Sequence, residues 1–251
     1  MEKNNNNQKV EVRLKMTRVL TKEWLDEGEA SLLAPSELET SLEEVWNVNR
    51  FLGGNPSLFA HLDRLLQQAG QDKRPVSLLD VGTGLADIPL AYLRRCRKRG
   101  VELSIVGIDS SVDIVMLAEK RTAAERDIRI VRADGRALPF GDKSFDIAFS
   151  NLALHHMDDD EAMKLLSELS RVSRVGWVVT DLERHPVAYA AARLLAAFVW
   201  RSPITKHDGP LSVRRSFTAV EARRLVERSG VNGRVYRHFP CRLALVGHGH
   251  V

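Results

Sequence analysis

Leu78-Leu79-Asp80-Val81-Gly82-Thr83-Gly84-Leu85-Ala86-Asp87 decides the fold of this 251-residue chain. It reads as a buried strand, a glycine turn and the start of a helix, in that order. Glycines at such a junction let the backbone approach a ligand with no Cβ in the way. Working outward, an apolar run at 76–81 alternates with further runs at 103–109, 128–133, 145–150 and 175–180. Helical patterns separate them at 87–99, after Ser110, which with Asp113 three residues on is read as a capping box, and at 159–172. This rhythm predicts an α/β fold, a mostly parallel sheet with helices on both faces.

Ligands of such sheets lie beyond the carboxyl ends of the strands. Asp80, Asp109, Asp134 and Asn151 all fall at or just past those ends. A pyrophosphate-binding turn would want a third glycine at position 87, where this chain has Asp87. An acid beside a helix start repels a pyrophosphate, so Asp80 and Asp87 suit a ligand that carries positive charge. S-adenosylmethionine (SAM), with its sulfonium and ammonium, is such a ligand. Asp109 is placed to accept from both ribose hydroxyls, or else to cap a helix. Asp134, followed by Gly135, is placed to accept from the adenine amine, or else to form a turn. Ile108 with Ala133 or Arg136 would flank the ring. Gly82 and Gly84 would lie against the methionine part, with Asp80 fixing the loop or drawing the ammonium. Asp87 serves equally as an acid in the first turn of a helix.

Strand 145–150 runs on into Asn151-Leu152-Ala153-Leu154-His155-His156-Met157. Ser150 and Asn151 can present carbonyls near a methyl donor. His155 or His156 can act as general base on an acceptor hydroxyl, because a histidine titrates near neutrality. The alternative is a polar loop with one histidine bound to backbone. Arg214 and Arg215 either hold an anionic acceptor or are solvated arginines on a loop that follows His207-Asp208-Gly209-Pro210.

The flanks carry less chemistry. Residues 1–16 are polar and asparagine-rich, and a disordered leader without the apolar core of a signal peptide is expected there. Helical patterns at 18–30, 37–52 and 56–69 make residues 17–72 an N-terminal helical cap. An apolar helix at 187–200 and the Gly-Pro loop form a lid-like insertion at about 184–216 of the main domain, 73–251. Thr218-Ala219-Val220-Glu221 is a capping box for a helix that ends near Gly230, and strands follow at 233–239 and 242–246. With 44% hydrophobic and 28% charged residues the composition is that of a globular protein. The net charge of +4, concentrated late in the chain, has no run dense enough for a nucleic-acid tail. Cys96 and Cys241 are isolated and read as structural. His248 and His250 lie in a tail that reads as bare, and no metal site is expected.

The four blocks Leu79-Asp80-Val81-Gly82-Thr83-Gly84, Gly107-Ile108-Asp109, Arg132-Ala133-Asp134-Gly135-Arg136-Ala137-Leu138-Pro139-Phe140 and Ser144-Phe145-Asp146-Ile147 through His156-Met157 resemble, in order and spacing, the class I SAM-dependent methyltransferases. The third glycine of the first block is Ala86 here. Asn49-Arg50-Phe51-Leu52-Gly53-Gly54 and the stretch 207–215 are similar to methyltransferases of bacterial polyketide-phenol pathways, and the whole resembles the small-molecule branch that includes quinone-pathway C-methyltransferases. The resemblance implies a Rossmann-like, seven-stranded sheet whose last strand is antiparallel. It implies SAM as cofactor, with Thr83 and Ser110 joining Asp80, Gly82, Gly84, Asp87, Asp109, Asp134, Gly135, Ser150 and Asn151 as candidate cofactor-binding residues. The expected function is methylation of a small, partly apolar acceptor, phenolic or quinone-like, on oxygen or carbon. The competing readings are an RNA or protein methyltransferase and a SAM-binding module without turnover. A cytoplasmic enzyme without a nucleic-acid partner or membrane span is expected, and a homodimer stays open.

Overall fold

The computed structural model describes residues 16–27, 35–69 and 74–249. Three helices, α1 (Trp24–Glu27), α2 (Pro35–Phe51) and α3 (Gly54–Gln68), precede the sheet. Then come β1 (Val76–Val81), α4 (Asp87–Arg97), β2 (Leu103–Asp109), α5 (Val112–Thr122), β3 (Ile128–Arg132) and β4 (Phe145–Asn151). A 3₁₀ turn at Leu154–His156 leads to α6 (Asp159–Val172) and β5 (Ser173–Leu182). The chain closes with α7 (Pro186–Phe198), α8 (Pro203–Arg215), α9 (Ala219–Ser229), β6 (Gly233–His238) and β7 (Arg242–His248).

The seven strands form one sheet in the order β3-β2-β1-β4-β5-β7-β6. β1 pairs in parallel with β2 and β4, and β7 runs antiparallel to both β5 and β6. The strand order reverses between β2-β1 and β1-β4, which opens a crevice at the carboxyl end of β1. Successive residues of β1 feed opposite faces: Leu78 packs with Leu58, Leu62, Tyr92 and Phe149, whereas Leu79 packs with Leu165, Leu169 and Trp177. Both faces are covered, so the strand reads as an unbroken apolar run.

Most predicted elements stand within two residues of their expected ends, and three expectations need correction. The predicted helix at 18–30 is only Trp24–Glu27, preceded by extended chain from Met16; residues 28–30 lie outside the described residues. His207-Asp208-Gly209-Pro210 is not a loop but the middle of α8. A Cβ on Gly209 would lie 2.4 Å from the Trp200 ring, so this glycine serves close packing. Asp208 accepts from the backbone N–H groups of Trp24 and Leu25, at 3.0 and 3.2 Å, and so caps α1 from another element. Finally, α5 is capped by Ser111, whose side chain accepts from the Ile114 N–H, and not by Ser110. The capping box of α9 matches its sequence signature, with Thr218 and Glu221 each serving the other's backbone. The disordered leader over 1–16 and His250 fall outside the described residues except for Met16, whose carbonyl accepts from Arg184 Nε at 2.9 Å.

Candidate active site

A single cavity of about 880 Å³ runs from the glycine turn after β1 to the inner faces of α2, α7 and α8. At its sheet end, Gly82, Gly84 and Ala86 all have left-handed backbones, with φ of 76°, 55° and 58°. Gly84 has no atom within 4 Å of where a Cβ would be, so its missing side chain leaves room on the cavity side. Ala86 adopts the same region at some conformational cost and ends the turn as N-cap of α4.

A buried acid, Asp80, and a half-buried one, Asp109, hold this turn. Thr83 Oγ1 donates to Asp80 Oδ2 at 2.8 Å. Burial, with some help from the charge of Asp109, pushes the Asp80 pKa up to about 7 against the Thr83 hydrogen bond. Asp109 accepts from the backbone N–H groups of Gly84 and Ser111 at 3.2 and 3.1 Å. Burial raises its pKa, and those backbone donors oppose the rise. Asp87, in the first turn of α4, is held by Arg121 Nη2 at 2.9 Å.

The remaining predicted cofactor residues divide. Asp134, Gly135, Ser110 and Asn151 line the cavity. Asp134 is gripped by Arg136, whose Nε lies 2.9 Å from Oδ1 and whose Nη2 lies 2.8 Å from Oδ2, and this grip holds its pKa below the ordinary value. A Cβ on Gly135 would lie 2.5 Å from Val81 Cγ1, so packing against β1 already requires a glycine there. Asn151 Oδ1 accepts from Thr180 Oγ1 at 2.7 Å. Ser150 is corrected: it is fully buried, donates to the Val81 carbonyl at 2.7 Å and is not among the cavity-lining residues. It ties β4 to β1 behind the site.

His155 and His156 stand beyond β4 on the 3₁₀ turn, and both line the cavity. The His155 ring Nδ1 donates to Asp181 Oδ1 at 2.7 Å while its backbone N–H donates to Oδ2 at 2.9 Å. The carboxylate thus fixes both the ring and the loop, which leaves Nε2 free of any carboxylate hydrogen bond; Glu23 Oε1 is 3.8 Å away. Burial works against the charge of Asp181, but His155 and the backbone donors outweigh it and hold its pKa low. His156 Nδ1 donates to Asp26 Oδ1 at 2.6 Å. Burial disfavours its charge, yet Glu23 and Asp26 together raise its pKa to about 9. Adjacent in sequence, the two imidazoles therefore differ in role: His156 keeps its proton at neutral pH, whereas His155 presents an unbonded ring nitrogen.

Sequence reasoning missed the residues that build this contrast. Glu23, 2% exposed, arrives on the extended N-terminal segment. Arg215, read above as an acceptor ligand or a solvated loop residue, is buried on α8 and does neither. It donates to the carbonyls of His155, His156 and Thr21 at 3.0, 2.7 and 2.6 Å and pairs with Asp26 at 3.0 Å. Glu23, His155 and His156 also bring ligand-capable atoms within 4.8 Å of one another. The Arg215 guanidinium, 3.6 Å from Glu23, and the protonated His156 already supply positive charge there. Only the acidic spacing Glu23…Asp26 hinted at this arrangement, and nothing local linked it to residues 155–156.

A family model described as a methyltransferase domain matches residues 78–176. The chain is 31% identical to the malonyl-[acyl-carrier protein] O-methyltransferase of Pseudescherichia vulneris, across 65% of this chain and 71% of that one. It belongs to the SAM-dependent methyltransferases. The demethylmenaquinone methyltransferase of Staphylococcus epidermidis is 31% identical over 105 residues, which is 42% of either chain. Among solved structures, a SAM-dependent methyltransferase from Aquifex aeolicus superposes with a TM-score of 0.58 at 18% identity, covering 86% of this chain and 98% of that one. The SAH-bound magnesium protoporphyrin IX methyltransferase of Synechocystis gives a TM-score of 0.54 at 12% identity, with coverages of 79% and 84%. These two show the shared fold. The methyltransferase uses SAM, and the open side of Gly84 beside Asp109 is room of the kind such a cofactor needs. Among the described residues no helix is long and apolar enough to cross a membrane.

Proposed function

We propose that this methyltransferase methylates a small, partly apolar acceptor with an ionisable hydroxyl, phenolic or quinol-like, and that His155 is its general base. The supporting observation is the Asp181–His155 pair, with Nδ1 bonded at 2.7 Å and the ring lining the same cavity as the glycine turn. In this reading Gly82, Thr83 and Gly84 hold the methionine part of the cofactor, with Asp80 and Asp87 near its ammonium. Asp109 and Ser110 take the ribose, Asp134 and Gly135 the adenine, and Asn151 the rim of the reacting centre.

SAM, when bound, supplies an electrophilic methyl group on a sulfonium. His155 then has one task, to take the acceptor's hydroxyl proton on Nε2 while Nδ1–H stays on Asp181. The imidazolium so formed faces two carboxylates, Asp181 and Glu23, which favour it. The protonated His156 cannot compete for that proton at neutral pH. An acceptor phenolate or enolate then reacts through oxygen or carbon according to its own structure and alignment. The apolar wall of Val45, Leu52, Ala188, Ala192 and Leu195 suits an apolar acceptor body. The demethylmenaquinone methyltransferase is by its name an enzyme of a small quinone, in keeping with this reading, whereas the malonyl-[acyl-carrier protein] O-methyltransferase is by its name one that methylates a small acyl group carried on a protein. The described residues of 17–72, and about 184–216, then serve as cap and lid.

The test is labelled-methyl transfer to panels of phenols and quinols. His155→Gln should lower kcat by about 10²-fold or more with the Kd for SAM unchanged. Wild-type turnover in that variant, or transfer to nucleic acid or protein alone, would refute the reading.

A further inference from the structure

The wall of the cavity holds a buried guanidinium that makes no ion pair among the described residues. Arg242, the first residue of β7, is 6% exposed and lines the cavity. Its Nη2 donates to Asn49 Oδ1 at 3.1 Å and its Nη1 makes a long contact of 3.4 Å with the Cys241 carbonyl. Its Nε has no hydrogen-bond partner among the described residues, and no carboxylate there comes within ion-pair distance of the guanidinium. Burial accordingly pushes its pKa below the usual arginine value, with the field of Asp181 opposing.

Asn55, in the first turn of α3, repeats the pattern. It is 3% exposed, lines the same cavity, and neither its Oδ1 nor its Nδ2 has a partner among the described residues. Its chain neighbour Gly54 packs on Asn49, since a Cβ there would lie 2.5 Å from Asn49 Oδ1. Unpaired buried polar groups are costly, and a buried charge without a partner is more so. If Arg242 served only to tie α2 to β7 through Asn49, a neutral amide would do that with no ionic penalty. Instead a guanidinium short of partners and an amide with none among the described residues both belong to the wall of this cavity, alongside apolar residues such as Val48, Leu52 and Leu182.

We propose that Arg242 and Asn55 form a subsite for a carboxylate of the acceptor, with Asn49, whose Oδ1 takes the Arg242 Nη2 and whose Nδ2 donates to the Val45 carbonyl at 2.8 Å, orienting the guanidinium, so that the substrate class is an apolar or aromatic hydroxy acid and not a neutral quinol. A guanidinium presents a planar fork that matches the two oxygens of a carboxylate, and an amide N–H₂ can add a third donor. Arg242 is paired across the sheet with Leu182, the residue next to Asp181. Arg242 on β7 and Asp181 on β5, which holds the His155 ring, are thereby set on adjoining strands, with the acceptor body spanning from the guanidinium to His155. This inference rests on the proposed reaction only in taking the acceptor to occupy this cavity.

The experiment measures binding and transfer separately. Calorimetry on protein saturated with the demethylated cofactor compares 1-hydroxy-2-naphthoate with its neutral amide, for wild type, Arg242→Gln and Asn55→Leu. The wild type should prefer the carboxylate at least tenfold. Arg242→Gln should abolish that preference with the amide's affinity kept within twofold, and Asn55→Leu should reduce it severalfold. The melting temperature of Arg242→Gln should not fall, because the change removes an unpaired buried charge. Equal affinity for both probes, failure to bind either, or a carboxylate preference that survives Arg242→Gln overturns the subsite. A retained preference without methyl transfer to any acceptor would count against the proposed reaction and leave the subsite standing.

Discussion

His156 Nδ1 lies 2.6 Å from Asp26 Oδ1, and through that bond the N-terminal segment is fastened to the loop that carries the candidate base. The folded-state pKa of His156, about 9, is above its ordinary 6.5. A raised histidine contributes stability that is complete below the unfolded value and fades as pH climbs through the folded one. Asp26, held low by the same bond once burial is outweighed, stays ionised throughout. The segment 16–27 should therefore loosen between about pH 6.5 and pH 9. Trp24 stacks on His207 at 4.2 Å and reports the change. The difference in emission between wild type and Trp24→Phe should shift over that window, and a flat signal would contradict the role of His156.

Asp109 offers a second check. It secures Gly84 and Ser111 and is the acid expected at the ribose. Asp109→Ala should weaken SAM binding by about 1–3 kcal/mol through loss of charge-assisted hydrogen bonds. Titration calorimetry measures it directly, and an unaltered Kd would remove the ribose contact from the assignment.

Asp80 should make cofactor binding depend on pH. Its pKa of about 7, raised chiefly by burial, means that near neutrality the acid is only partly ionised. An ammonium brought close favours the ionised form, so binding releases a proton and SAM affinity rises from pH 6 to pH 8, by up to about tenfold for each unit below the pKa. For the unliganded fold the sign is opposite: a carboxyl raised above 3.8 loses stability as pH rises toward 7. Calorimetry in buffers of different ionisation enthalpy counts the proton. Asp80→Asn should flatten the dependence, and a pH-independent wild-type affinity would show that the ammonium does not sit near this acid.

The sheet and the glycine turn after β1 were legible in the sequence because their signals are local. Leu78 to Asp87 carries strand, turn and helix start within ten residues, and Thr218 with Glu221 announces its helix in four. The end of the cavity around His155, the proposed reacting end, was not legible, because its contacts join residues far apart in the chain. Asp208 caps a helix that starts at Trp24, and Arg242 meets Asn49 across the molecule. Gly209-Pro210 has the composition of a turn, and only the Trp200 ring packed onto Gly209 explains it inside a helix. Ser150 was misplaced by a single pleat: as consecutive residues of a strand, it and Asn151 face opposite ways, and only the latter reaches the cavity.

Arg215 carries the sharpest stability prediction. Its side chain is 3% exposed and donates to three carbonyls while facing Asp26 at 3.0 Å and Glu23 at 3.6 Å. Removing one partner of such a buried cluster strands the others. Arg215→Met should therefore cost about 3–5 kcal/mol, read as a lower denaturant midpoint. Lysine should rescue little, because a single ammonium cannot span acceptors that the planar fork reaches together. The guanidinium also holds the His155 carbonyl, so in protein kept folded at low temperature kcat should fall while the Kd for SAM, whose proposed site is at the glycine turn, stays put. A variant that melts like the wild type would show that the N-terminal segment is held by other contacts, Arg18 and Asp208 among them. One that loses SAM affinity as well would show that the two ends of the cavity are not mechanically separate.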